Sequence, residues 1–219
     1  MTLSRLALAC TLAAALAACG LAPNLATAQD HGGGHGHGHG HGNKEPVRIK
    51  IVGFNDYHGN LQSPGTYGVN TIVPPAQRPA VGGAEYLAAY VQRLMAQNAN
   101  NVVVGAGDFI GASPLISALF FDEPAVETLN RIGVEFNAVG NHEFDKGAAE
   151  LRRLQAGGCK STNGAPDPNS CKGVGSNAPG SFDGARFQWL SANVIETATG
   201  RPLLPAYGIK TFQGVKVAF

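Results

Sequence analysis

The sequence predicts an α/β protein whose functional groups collect at strand ends, and three observations lead there. Short apolar runs alternate with stretches of helical spacing. Three of those runs lead into Gly-containing loops. Each of the three loops carries Asp, His or Asn, as expected where an open α/β sheet places its site outside the carboxyl ends of its strands.

Val47, Ile49 and Ile51 alternate with Arg48 and Lys50 before Phe54, which predicts a half-buried strand. Asn55 to Leu61 then reads as a loop, and Ser63 to Gly83 is rich in Pro and Gly. Leu87, Tyr90, Val91, Leu94 and Met95 recur at i, i+3, i+4, i+7 and i+8, the stripe of a helix packed on the core. Val102 to Val104, bounded by Asn100-Asn101 and Gly105, predicts a buried strand that delivers Gly107-Asp108. Ser113-Pro114 and Asp122-Glu123-Pro124 read as helix starts, with Gly133 as the stop of the second. Val134 to Val139 is a third strand ending at Gly140-Asn141-His142-Glu143-Phe144-Asp145. Lys146 to Gln155 is a further helix, closed by Gly157-Gly158. Phe187 to Val194 and the hairpin-like pair Ile209 to Phe212 and Val215 to Phe219 complete the strands.

Composition narrows the function classes. The 219 residues are 44% apolar, enough for one domain with a core. Sixteen basic residues nearly balance fifteen acidic ones and no Lys/Arg cluster occurs, which argues against a nucleic-acid polymer as partner and for a small ligand. Residues 1–28 read as an export signal, with Arg5 ahead of an apolar run, Leu6 to Ala18, too short to span a bilayer. Two processing sites compete. Leu16-Ala17-Ala18-Cys19 resembles a lipoprotein box that would put a lipid anchor on Cys19, and Ala26-Thr27-Ala28 before Gln29 fits cleavage without one. The expected location is the periplasm or the outer membrane. Residues 29–46 form a Gly/His-rich linker containing His31, His35, His37, His39 and His41; it reads as a solvated tether or as a trap for transition metal. Cys159 and Cys171 remain for the mature chain, an even pair expected to form a disulfide around a turn-rich surface loop, stabilising by about 3 kcal/mol.

Asp56 and His58, then Asp108, then Asn141 and His142 give the three strand-end loops a common content of metal ligands. Asp-x-His, Gly-Asp and Gly-Asn-His-Glu together resemble the calcineurin-like metallophosphoesterase superfamily. Asn55-Asp-Tyr-His-Gly-Asn-Leu61 and Gly140-Asn-His-Glu-Phe-Asp-Lys-Gly147 resemble its bacterial 5′-nucleotidase and UDP-sugar hydrolase branch. The resemblance covers residues 47–219 and implies a layered α-β-β-α fold, two divalent ions (Zn or Mn) and hydrolysis of nucleotide phosphoesters. The implied substrates are nucleoside monophosphates, then UDP-sugars or 2′,3′-cyclic nucleotides. By position, Asp56 and His58 would bind one metal, Asp108 would bridge both and Asn141 would bind the second. His142, oriented by Asp145, would be the catalytic imidazole. Glu143 is expected to be a hydrogen-bonding residue of its loop, and Asn55 and Asn60 to hold theirs through side-chain bonds.

Two features that the resemblance implies are not found in these residues: the later metal-binding histidines, and the C-terminal domain that usually binds the base in a 5′-nucleotidase. No His follows His142, whereas the family places further metal-binding histidines later. With Val215, Val217 and Phe219 closing the chain on an apolar strand face, the expectation is the N-terminal part of a catalytic domain, incomplete at its C-terminus, with weak metal binding and little turnover. The alternative is a non-catalytic exported protein that binds metal through the His-Gly tract.

Overall fold

The computed structural model describes residues 45–67, 72–172 and 180–219; the export segment and the His-Gly tract lie outside them. In chain order the elements are β1 (Lys50–Phe54), β2 (Gly65–Thr66), β3 (Ala80–Val81), α1 (Ala84–Met95), β4 (Asn101–Gly105), α2 (Leu115–Ala118), α3 (Glu123–Ile132) and β5 (Phe136–Ala138). There follow α4 (Ala148–Ala156), β6 (Ser161–Thr162), β7 (Ala165–Pro166), β8 (Gln188–Leu190), β9 (Ile195–Glu196), β10 (Arg201–Pro202), β11 (Ile209–Phe212) and β12 (Val215–Ala218). No helix among the described residues is long and apolar enough to cross a membrane.

β1, β4, β5 and β8 form one parallel sheet in that order. Parallel strands need crossovers, and α1, α3 and α4 lie in the three connections. The register pairs Val52 with Val103 and Ile51 with Val102, so period-two alternation sends the first pair to one face and the second to the other. On the first face Val52, Val103, Phe187 and Trp189 join Val91, Leu129, Leu151 and Leu154 in the main core. On the second face Val102, Phe136, Leu190 and Phe212 pack together, with Val47, Ile49, Val217 and Phe219 partly buried against them. The β11–β12 hairpin therefore begins a second layer. Phe136 and Phe219 stack at 5.3 Å between centroids, and Lys210 ties the hairpin to the sheet by donating to the Asn101 carbonyl and the Glu135 carboxylate.

Two sequence expectations need correction. Ile51 shares a face with the second cluster yet is 57% exposed, because β1 is an edge strand and the hairpin does not reach over it. In α1, Val91 is buried and Leu87, Ala88 and Met95 pack on the core, but Tyr90 is 63% and Leu94 38% exposed. Tyr86, Tyr90 and Leu94 form an i, i+4, i+8 row beside the buried arc, too far round the helix to meet the sheet.

The Cys159–Cys171 disulfide forms, but its loop is anchored more deeply than a surface loop would be. Glu123, buried at the start of α3, accepts hydrogen bonds from Arg153 Nη1 at 2.8 Å, the Cys171 N–H at 2.6 Å and the Ser170 hydroxyl. Arg153 and Lys160 also donate to the buried Glu150, each at 2.8 Å. Burial pushes the Glu150 carboxyl up, yet these bonds and charges outweigh it and hold it below its ordinary value of 4.5. The stabilisation from this depression is fully present above that value and is lost as pH falls through the lowered folded-state value. Breaking a buried pair leaves a charge uncompensated. Arg153→Met should therefore cost about 3–5 kcal/mol, read by urea unfolding at pH 7, and should diminish the acid-side loss of stability measured on the parent.

Candidate metal and catalytic site

The loops that follow β1, β4 and β5 leave the same edge of the sheet and meet there. Backbone bonds fasten the first to the second: the Asp56, His58 and Gly59 N–H groups donate to the Gly107, Asp108 and Phe109 carbonyls at 3.1, 3.0 and 3.1 Å. Asp56, His58 and Asp108 all have positive φ, at 54°, 46° and 56°. Left-handed backbone is uncommon for residues with a Cβ and costs of order 1–3 kcal/mol where unfavourable, so it persists only where surrounding bonds over-determine it. The effect is to bring one ligand atom from each residue within 4.8 Å of the others.

His58 donates from Nδ1 to the Gly111 carbonyl at 2.8 Å, which assigns the proton to Nδ1 and leaves Nε2 as the free acceptor, 3.8 Å from an Asp56 carboxylate oxygen. Asn55 bonds the other Asp56 oxygen, and Asn60 Nδ2 donates to the Tyr57 carbonyl at 2.8 Å. Asn60 thus holds its loop through the backbone, whereas Asn55 holds a side chain. Two carboxylates and an imidazole of fixed tautomer are a donor set suited to a divalent metal ion.

The third loop turns through a single 3-10 turn, His142–Phe144. The His142 N–H donates to Asp108 Oδ1 at 3.1 Å, and Asn141, exposed, stands immediately before it. Gly140 must be glycine, since a Cβ there would come within 2.0 Å of Asp108 Oδ1. The His142 and His58 rings meet edge to face at 5.0 Å. His142 Nδ1 lies 2.8 Å from Asp145 Oδ2. That hydrogen bond chiefly raises the His142 pKa; partial burial opposes it, and the charges of Asp145, Asp108 and Glu143 reinforce it. The same bond lowers the Asp145 pKa. The pair is thus biased toward imidazolium and carboxylate.

Glu143 is buried and makes no use of its charge at the surface. Its carboxylate accepts the N–H groups of Asp108 at 2.9 Å, Phe109 at 2.8 Å and Gly140 at 2.6 Å, so it joins the second loop to the third. Asn137, fully buried in β5, adds a bond from the Gly107 N–H to its Oδ1 at 3.0 Å. Sequence reading missed Asn137; its signal was a polar residue inside an otherwise apolar strand, which burial obliges to find partners. Lys146 was missed as well. It reaches the buried Asp122 at 3.0 Å, and Asp122 in turn accepts from Ser117 at 2.9 Å under the first loop.

No protein-family model matches the chain. An uncharacterised protein encoded in the pqq-V 5′ region of Acinetobacter calcoaceticus is 45% identical over 173 residues, covering 76% of this chain and 80% of that one. The endonuclease YhcR of Bacillus subtilis is 36% identical over 176 residues, covering 80% of this chain and 13% of its own length. Among solved structures, a 5′-nucleotidase precursor from Thermus thermophilus superposes with a TM-score of 0.50 at 24% identity, over 78% of this chain and 27% of that one. The chain thus spans most of one relative and a small fraction of the longer ones.

Removing the Glu143 carboxylate leaves three backbone N–H groups to find other acceptors, and each costs about 1–3 kcal/mol if it fails. Glu143→Ala is expected to lose about 2–4 kcal/mol in urea unfolding, with Glu143→Gln intermediate because it retains one oxygen.

Proposed function

Because the chain belongs to the calcineurin-like metallophosphoesterase superfamily, in the group that contains the bacterial 5′-nucleotidases, we propose that it carries the N-terminal part of a catalytic domain, residues 47–219, that hydrolyses phosphate esters of nucleotides. The observation that carries this reading is the convergence of Asp56, His58 and Asp108 within 4.8 Å of one another, beside a His142–Asp145 pair at 2.8 Å. Nucleoside monophosphates are the leading substrates, with UDP-sugars and 2′,3′-cyclic nucleotides behind them. The disulfide supports an exported location.

The donor set fits divalent metal. Asp56 and His58 would hold one ion, Asp108 would be shared by two and Asn141 would serve the second; the ions, when bound, supply an acidified water and polarise the phosphoryl oxygens. The remaining work falls to the chain. Asp145 fixes the His142 tautomer with Nδ1 protonated, so Nε2 is the position at which His142 carries or gives up its second proton. As imidazolium it stabilises negative charge developing on the phosphoryl group and delivers a proton to the departing oxygen. The His142 N–H holds Asp108 Oδ1, which ties the acid to the carboxylate that would bridge the metals. Glu143 keeps both in register without touching substrate.

A second reading, a polynucleotide substrate, is favoured by the endonuclease among the relatives and opposed by the lack of a Lys/Arg cluster.

Metal content by elemental analysis and phosphate release from AMP in added zinc or manganese test the proposal together. His142→Asn should lower kcat by roughly 10²- to 10⁴-fold with metal content unchanged, and Asp108→Asn should lower metal content itself. Metal retained with no phosphate released from AMP, UDP-glucose or a cyclic nucleotide would leave metal binding as the function. Cleavage of an oligonucleotide in preference to AMP would favour the second reading.

A further inference from the structure

Two consecutive residues of the third loop hold opposite ends of one short segment. Asp145 accepts the Ala112 N–H, and Lys146 donates from Nζ to Asp122 at 3.0 Å. Between those ends lie α2 and Ser117, whose hydroxyl donates to Asp122 Oδ1 at 2.9 Å. The first loop rests directly on this serine: a Cβ on Gly59 would come within 2.6 Å of Ser117 Oγ. We propose that Lys146 is a positioning residue of the active site, which acts through Asp122 and Ser117 to set the His142–Asp145 pair against the loop that carries Asp56 and His58. The kinetic part of this assignment rests on the phosphoesterase reading above; the geometric part does not.

Three features support it. Asp122 occupies the N-cap of α3, where an aspartate ordinarily bonds the free N–H groups of its own helix. It makes no such bond, and its carboxylate turns to Ser117 and Lys146 instead, in a small cleft that His142 and Asp145 also line. The backbone there is left-handed at two successive residues, Phe121 at φ 57° and Asp122 at φ 63°, a conformation kept only where neighbours over-determine it. The segment thus forgoes a helix cap and holds unfavourable backbone while directing one carboxylate to the third loop. Asp122 is, moreover, 2% exposed, so its charge depends on the ammonium that reaches it. Glu143 joins the second loop to the third, and backbone bonds join the first to the second. The Lys146–Asp122–Ser117 path supplies the remaining connection, third to first, and so fixes the spacing at which the His58 and His142 rings meet.

The experiment compares the full chain with Lys146→Met, Lys146→Arg and Ser117→Ala, the last a milder break in the same path should the first not fold. Ring C–H signals of His58 and His142 are followed by NMR in metal-free protein, assigned against His58→Asn and His142→Asn, and AMP hydrolysis is measured in added manganese. Lys146→Met should shift the signals of both rings and lower kcat for AMP by roughly tenfold to a hundredfold, with KM and metal content unchanged. Lys146→Arg, which keeps the charge, should restore the signals and most of the rate. Lys146→Met combined with Ser117→Ala should be no slower than the worse single variant, because both act on one path. Ring signals that stay at their parent positions in Lys146→Met and Ser117→Ala would overturn the assignment, whether or not the chain hydrolyses AMP. Shifted signals with an unaltered kcat in an active chain would overturn it as well, as would a loss that Lys146→Arg does not recover. Shifted signals in a parent chain that hydrolyses no AMP would keep the geometric coupling and sink the reaction instead.

Discussion

One buried carboxylate holds the two later site loops in a single arrangement. Glu143 collects the N–H groups of Asp108, Phe109 and Gly140, which come from the exits of two neighbouring strands. Backbone N–H groups inside a protein must be met, and here they are met by one side chain instead of a sheet ladder. The loops can therefore leave the sheet without unravelling. Charge matters as well as geometry: an anion bound by three donors lowers the freedom of those donors more than three neutral acceptors would. The first loop is then fastened to the second by backbone bonds at Asp56, His58 and Gly59, so all three loops share one frame.

That frame explains why unfavourable backbone can be kept at Asp56, His58 and Asp108. Short side chains reach a common point only if their Cα atoms are turned toward it, and the left-handed conformation performs that turn. Gly140 completes the geometry by leaving room for an Asp108 oxygen that any side chain would displace. The result is a preorganised cluster of two carboxylates and an imidazole on rigid strand ends. Preorganisation of this kind is what electrostatic catalysis requires, since the groups need not reorient as charge develops.

Much of this was legible in the residues. The strand-end loops, the helix starts at Pro114 and Pro124, the stop at Gly133 and the Cys159–Cys171 bond follow from local chemistry, and the structure has them. Local patterns were weaker wherever tertiary cover decides exposure. Alternation places Ile51 on the correct face but cannot say that the second layer stops short of it. Helical spacing marks Tyr90 and Leu94 as apolar neighbours of Val91 but cannot say that the buried arc excludes them. The pairing of Glu123 with Arg153 and Ser170, thirty and forty-seven residues distant, was invisible for a different reason: partners that far apart along the chain have no periodicity to betray them.

The order of the central sheet, β1-β4-β5-β8, runs in the same direction as the chain. Every new strand is laid beside the one made just before it, and none must insert between two already paired. A polypeptide emerging N-terminus first, from a ribosome or a translocation pore, can therefore assemble the sheet progressively. On that route the Asp56 and Asp108 loops come together once β4 docks on β1, and the Glu143 clasp closes when the segment just after β5 arrives. The site would be built in the sequence in which its parts are delivered, with the disulfide added behind it.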